Sequence, residues 1–133
     1  MTIIDSGEEL FQTTNMRLAA AAVVSILQRP TETANQYLSI ASFNTTQNEI
    51  LRVLEIQTGG PKWTVHHVSS TELERDGDKK RDAGELNILE YLKLYAFAEG
   101  AGHWLEEDKS ANALLGLEKE DLETAVKVLL QGR

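Results

Sequence analysis

The sequence predicts an α/β or α+β domain, a small sheet of few strands packed by helices. Three observations carry that expectation. Apolar or alternating stretches at Gln36 to Phe43 and Lys62 to Val68 have strand character, and well-capped helical stretches separate and follow them. The order strand–helix–strand–helix–helix runs once through the chain, with no internal repeat. At 133 residues and 41% hydrophobic content, one sizeable core can be buried. Residues 1–133 are therefore expected to form a single domain, with 1–60 a strand-and-helix region and 61–133 a helical lobe. Only one or two strands have the character of central ones, so apolar helix faces and strand edges remain to be covered. A homodimer, or docking onto a missing half, would cover them.

Thr2-Ile3-Ile4 and Leu10-Phe11-Gln12 flank the turn residues Asp5-Ser6-Gly7, the pattern of a short hairpin or extended loop. Thr13 and Thr14 offer N-caps for a helix to about Leu27, and Pro30 ends it. Gln36 to Phe43 reads as a mostly buried strand. Thr46-Gln47-Asn48-Glu49 is a capping box whose helix carries the stripe Ile50, Val53 and Leu54 and stops at Gly59-Gly60-Pro61. Lys62 to Val68 alternates as a strand does, and Ser69 with Glu72 forms a second capping box for a short polar helix. Asp76 to Glu85, charged and holding two glycines, reads as a loop. Asn87 to Glu99 resumes a helical stripe, which Gly100-Ala101-Gly102-His103-Trp104 breaks. Two helices follow, Lys109 to Leu115 and Lys119 to Leu130, parted by Gly116.

A net charge of −8 would repel nucleic acid and anionic membranes. Six of the 21 acidic residues precede Gly60 and fifteen follow it, which marks the second half as a solvated helical region. With no cysteine, disulfides, thiolate nucleophiles and Cys-ligated zinc are excluded, and a reducing compartment fits. The longest apolar run, Leu18 to Leu27, is half the roughly twenty residues that a bilayer requires. Asp5, Glu8 and Glu9 precede it in place of a basic leader. A cytoplasmic protein with no nucleic-acid and no membrane partner is expected. No G-x-G-x-x-G follows an apolar run, and Gly100-Ala101-Gly102 follows a helical pattern with Leu105 where the third glycine would stand. No cofactor and no cofactor-binding residue are therefore expected.

The runs Tyr37-Leu38-Ser39-Ile40-Ala41-Ser42-Phe43, Thr45-Thr46-Gln47-Asn48-Glu49-Ile50 and Lys62-Trp63-Thr64-Val65 resemble the C-terminal half of NmrA-like, isoflavone-reductase-like proteins. Phe97, Gly100 and Gly102, then Leu114-Leu115-Gly116-Leu117 and Glu120-Asp121-Leu122-Glu123, continue the resemblance over nearly the whole chain. In that family a Rossmann domain binds NAD(P)H and the C-terminal portion supplies a late sheet strand and the substrate lobe. The resemblance implies that Gln36 to Phe43 is the late strand and Lys62 to Trp104 the lobe. The glycine-rich phosphate loop and the catalytic lysine of the family have no counterpart among these residues.

His103 is the leading candidate for chemistry, beside Trp104 in the glycine break. Tyr91, Tyr95 and Glu99 recur every four residues, so one helix face would carry two phenols and a carboxylate. An imidazole titrating near neutrality, a phenol donor and a carboxylate to hold the ring suit proton transfer without a cofactor. The expected activity is an isomerase or cyclase acting on a small aromatic or polyketide-like metabolite, with Phe97, Gly100, Gly102 and Trp104 binding the substrate. A ligand-binding or regulatory module, or the substrate half of a split NAD(P)H-dependent reductase, is the alternative. The same side chains also fit plain packing and loop roles. His66 and His67 alternate faces on a strand and cannot easily share a metal. Asp5, Glu8 and Glu9 lack calcium-loop spacing and read as a solvated turn, so no metal site is expected. Lys79-Lys80-Arg81 sits among Asp76, Asp78 and Asp82, and Ser25, Ser39 and Ser42 lack a nucleophile elbow.

Overall fold

The structure, a computed structural model, describes residues 1–60, 63–85 and 88–132. Its elements along the chain are β1 (Thr2–Ile4), β2 (Phe11–Thr13), α1 (Met16–Gln28), α2 (Pro30–Thr33), β3 (Phe43–Thr45), α3 (Gln47–Gln57), β4 (His66–Val68), α4 (Ser70–Asp82), α5 (Leu89–Phe97) and α6 (Leu122–Gln131). The fold is mixed α/β, with helices around a few short strands. The strands form two pairs, β1 with β4 and β2 with β3. The chain divides into two compact units, Met1–Phe11 with Thr45–His103 and Gln12–Asn44 with Trp104–Arg133. Each unit is built from two separate stretches of the sequence.

In the first unit β1 and β4 run parallel, with Thr2 opposite His66 and Ile4 opposite Val68. Ile3, Ile4 and Val53 are fully buried there. Parallel strands normally have neighbours on both edges. On the other edge of β1 the Gln47 side chain stands in for a strand: its Oε1 accepts from Ile4 N at 2.9 Å and its Nε2 donates to Thr2 O at 3.2 Å. Gln47 opens α3 just after the cap residue Thr46, whose hydroxyl accepts from Glu49 N at 3.1 Å. The Glu49 carboxylate accepts from Thr45 Oγ1 at 2.8 Å, so only one arm of that capping box forms. Ser69 and Glu72 form both arms at the start of α4.

In the second unit α1 lays Ala22 against Ala111 and Leu115, with Ile26, Leu38, Ile40 and Leu117 around them. Ser25, buried on the same helix, donates to Leu115 O at 2.5 Å. Helix α6 starts at the cap Asp121, whose carboxylate accepts from Thr124 N at 2.9 Å.

Several sequence expectations are corrected. Thr2–Ile4 and Phe11–Thr13 are not a hairpin, because each finds its partner far along the chain. The cap of α1 is Asn15 rather than Thr13 or Thr14, and Pro30 opens α2 at its first turn, where a missing N–H costs nothing. Gln36 to Phe43 is not a strand: only Phe43–Thr45 is, and Tyr37 is fully exposed. Its apolar residues Leu38 and Ile40 pack on the core as irregular chain, since burial does not require strand pairing. The second predicted strand shrinks to His66–Val68, and Pro61 and Lys62 lie outside the described residues.

The charged stretch from Asp76 is helix as far as Asp82, not loop. Its ion pairs Asp76–Lys79 and Asp78–Arg81 lie at helical spacing, and Gly77 admits the Tyr91 ring rather than breaking the helix. Helix α5 begins at Leu89, and Asn87 lies outside the described residues. Residues 111–117 make a turn closed by Leu115 N to Ala111 O and Leu117 N to Asn112 O, in place of a helix.

Candidate functional site

The first unit brings together two of the four residues to which chemistry was assigned. Tyr95, on α5, stacks on His103 with ring centroids 3.7 Å apart and planes 26° apart. The other two turn elsewhere. Tyr91 donates its hydroxyl to Asp78 Oδ1 at 2.6 Å and accepts from Arg81 Nη1 at 3.3 Å, both on α4. The hydrogen bond to Asp78, then lost hydration, holds its phenol above the usual tyrosine range. Helix α5 ends at Phe97 with Ala98 extended, so Glu99 is no longer on the helix face that four-residue spacing implied.

The glycine break is a braced turn. Glu9 accepts from Gly100 N at 2.9 Å through one oxygen and from Gly102 N at 2.8 Å through the other. Asp5 accepts from Ser70 N at 2.7 Å and from Glu99 N at 3.2 Å, joining the start of α4 to the end of α5. These bonds hold both carboxyls below the usual carboxylate range: Ser70 contributes most at Asp5, and Gly100 then Gly102 at Glu9. Gly100 and Gly102 both have positive φ, at 80° and 65°, which lets their N–H groups converge on one acceptor. The acidic turn, read from sequence as merely solvated, is therefore structural. The left-handed Asp5, at φ 50°, and Gly7, at 73°, set its geometry.

Phe97 packs edge-on against Phe11 at 4.8 Å, which makes it a packing residue of the first unit. Trp104 belongs to the second unit and is half exposed. His66 and His67 are both exposed. Lys79, Lys80 and Arg81 are each paired with a carboxylate, Lys80 with Glu90 at 2.7 Å. Among the described residues no three His, Cys, Asp or Glu side chains converge as a metal site. Nor is any helix there long and apolar enough to cross a membrane.

The second unit holds a cleft of about 490 Å3 that none of the residues assigned to catalysis or substrate binding lines. Ala41, Phe43, Leu105, Ala113 and Leu117 give it apolar walls, and Ser42, Asn44, Asn112 and Glu120 supply polar groups. Two asparagine amides fasten the walls. Asn44 donates to Leu105 O at 2.7 Å and accepts from Leu105 N at 3.0 Å. Asn112 donates to Ala41 O at 2.7 Å and accepts from Ala41 N at 3.4 Å. Glu120 Oε2 accepts from Ser42 Oγ in a close contact and from Asn15 Nδ2 at 2.9 Å, while Ser42 Oγ accepts from Asn15 N at 2.9 Å. Glu120 Oε1 accepts no hydrogen bond from a described residue.

A pocket of this size suits a small molecule, with apolar walls supplying affinity and a few fixed polar groups supplying orientation. Sequence reasoning missed it because its polar groups lie far apart in the chain, at 42–44, 112 and 120. The available signal was a serine inside an apolar run and a glutamate just ahead of a helix cap.

Two similar proteins are both named oxidoreductases. Oxidoreductase poxI of Penicillium oxalicum is 35% identical over 136 aligned positions, covering 97% of this chain and 42% of the relative. Oxidoreductase aprR of Aspergillus flavus is 28% identical over 133 positions, covering 98% and 44%. The chain thus spans less than half the length of these curated relatives. No protein-family model matches the chain. No solved structure matches it either.

Strand β1 leads into the Asp5–Gly7 turn and then β2, not directly into a helix. The glycine turn at 100–102 follows a helix, and a carboxylate already takes its N–H groups.

Proposed function

We propose that the chain is the substrate-binding portion of an oxidoreductase acting on a small molecule, similar to the C-terminal half of NmrA-like, isoflavone-reductase-like proteins. The observation that carries this reading is the match of nearly the whole chain to two-fifths of proteins named oxidoreductases. The cleft in the second unit is where the substrate sits. The hydride chemistry then depends on a nucleotide-binding portion, and no G-x-G-x-x-G phosphate loop occurs in this sequence. Calorimetric titration of the chain with NADPH tests the division of labour. No heat of binding is expected, and saturable binding at micromolar NADPH would overturn the reading.

A second reading keeps acid–base chemistry in the first unit, and the Tyr95–His103 stack on a braced turn favours it. There His103 transfers a proton and Tyr95 fixes the plane of its ring, giving an isomerase or cyclase that needs no nucleotide. His103→Ala is then expected to lower turnover by roughly a hundredfold or more, the usual contribution of a general acid or base. Under the first reading the same change leaves ligand binding in the cleft intact. Self-association into a homodimer is compatible with both readings and is checked by light scattering.

A further inference from the structure

We infer that the cleft of the second unit selects an uncharged or cationic molecule that donates a hydroxyl or amine hydrogen to Glu120, and rejects carboxylates and phosphates. This rests on the reading of the cleft as a small-molecule site and adds what that site recognises.

Glu120 offers two oxygens in a cleft with apolar walls. One is held by Ser42 and Asn15, which fixes the orientation of the carboxylate without neutralising it, because both partners are uncharged. The other accepts from no described residue. An ionised carboxylate only accepts, so its natural complement is a donor on the ligand. An anionic ligand would face like charge there, in a protein already at −8. Lys119 also lines the cleft, but it is almost fully exposed and lies 3.7 Å from Glu107, so it offers little to an anion. Asn44 and Asn112 each already accept one backbone N–H, from Leu105 and Ala41, and are uncharged, so the Glu120 carboxylate is the stronger acceptor for a ligand's donor.

The test uses three probes of one ring system: 2-naphthol, 2-naphthylmethylamine and 2-naphthoate. Amide shifts of Ala113 and Leu117 in the 15N-labelled chain read occupancy of the cleft. The naphthol and the amine are expected to bind about tenfold or more tighter than the naphthoate, the scale of one hydrogen bond to a charged group. Glu120→Gln keeps size and one acceptor but removes the charge, and should bring the naphthoate to within roughly threefold of the naphthol. Because Glu120 also holds Ser42 and Asn15, the wild-type selectivity stands as a separate test that no variant's folding can confuse. Leu117→Trp, which enlarges an apolar wall residue of the cleft, should remove the shifts of all three probes. Equal or tighter binding of naphthoate by the wild type overturns this inference and leaves the cleft a small-molecule site. Selectivity that persists in folded Glu120→Gln overturns the role of Glu120. Failure of every probe to shift the cleft amides overturns the small-molecule site itself.

Discussion

In the first unit Glu9 gives both oxygens to the N–H groups of Gly100 and Gly102, while in the second Glu120 gives one oxygen to Ser42 and Asn15 and keeps the other. The residue type is the same, yet the consequences differ. A carboxylate whose acceptors all meet backbone donors shapes a loop and has little left for a ligand. A carboxylate pinned through one oxygen by neutral partners is rigid and still able to bind. Asp5, which takes Ser70 N and Glu99 N, belongs with Glu9. All three carboxylates have two partners, so it is their division between the two oxygens, not their number, that separates Asp5 and Glu9 from Glu120.

The cores differ as well, and the largest expected effect comes from there. In the second unit a buried cluster joins Ala22, Ala111 and Leu115, Leu18 and Val126 being buried besides, and Leu115, 2% exposed, is the large side chain of that cluster. Leu115→Ala should cost about 3–4 kcal/mol in urea denaturation, within the usual range for such truncations, and abolish probe binding in the cleft. In the first unit Ile3, Ile4 and Val53 share the burial. Ile4→Ala should cost about 2–3 kcal/mol there. A smaller loss for Leu115→Ala than for Ile4→Ala would break the comparison.

The acid response sharpens it next. The folded pKa values of Asp5 and Glu9 are both lowered, so their contribution to stability is complete above the unfolded values of about 4 and disappears as pH falls through the lower folded values. The urea midpoint is expected to hold steady from pH 7 to about pH 5 and then drop. An Asp5→Asn, Glu9→Gln double variant should start lower at pH 7 and lose less between about pH 4 and pH 2. Amide exchange at Gly100 and Gly102 should accelerate in that variant. Parallel pH curves for the two proteins would show that these carboxylates do not brace the turn.

The α/β class, the helix behind Thr46 and the complete capping box at Ser69 and Glu72 were legible in the sequence, because each depends on residues close along the chain or on strong local chemistry. What was misread depends on partners far away. Gln36 to Phe43 has strand composition, but Leu38 and Ile40 pack on the core as irregular chain, and the strand begins only at Phe43. Gln47 looked like an ordinary first-turn residue, and only the fold shows its amide completing the edge of β1. Tyr91 has the spacing of a site residue, yet Asp78 reaches it from another helix. The cleft was illegible because Ser42, Asn112 and Glu120 meet only through folding.

Helix starts give the next smaller effect. Ser69→Ala removes a hydroxyl that accepts from Glu72 N in a box with both arms formed. Thr46→Ala removes one that accepts from Glu49 N where the Glu49 carboxylate is engaged by Thr45. Both should cost about 1 kcal/mol in thermal or urea melts, with Ser69→Ala at the larger end because its hydroxyl also lies 3.3 Å from the Glu72 carboxylate as a donor. The reverse order would mean that the Thr45–Glu49 bond carries more of the α3 start than the cap does.

The smallest expected effect is the most discriminating about how α4 meets α5. Gly77 is helical, so alanine there should gain about 1 kcal/mol of helix propensity. Its Cβ, however, would lie 3.2 Å from Tyr91 Cζ, closer than an ordinary contact. The ring cannot simply pivot away, because its hydroxyl is tied to Asp78 and Arg81 on α4 itself. Gain and crowding should nearly cancel, leaving Gly77→Ala within about 0.5 kcal/mol of wild type. Tyr91→Phe cuts the ring's tether, so in that background Gly77→Ala should become stabilising. A double-mutant cycle is expected to show coupling of about 0.5–1 kcal/mol. Strict additivity would mean that Tyr91 yields freely, and that the glycine is not there to admit it.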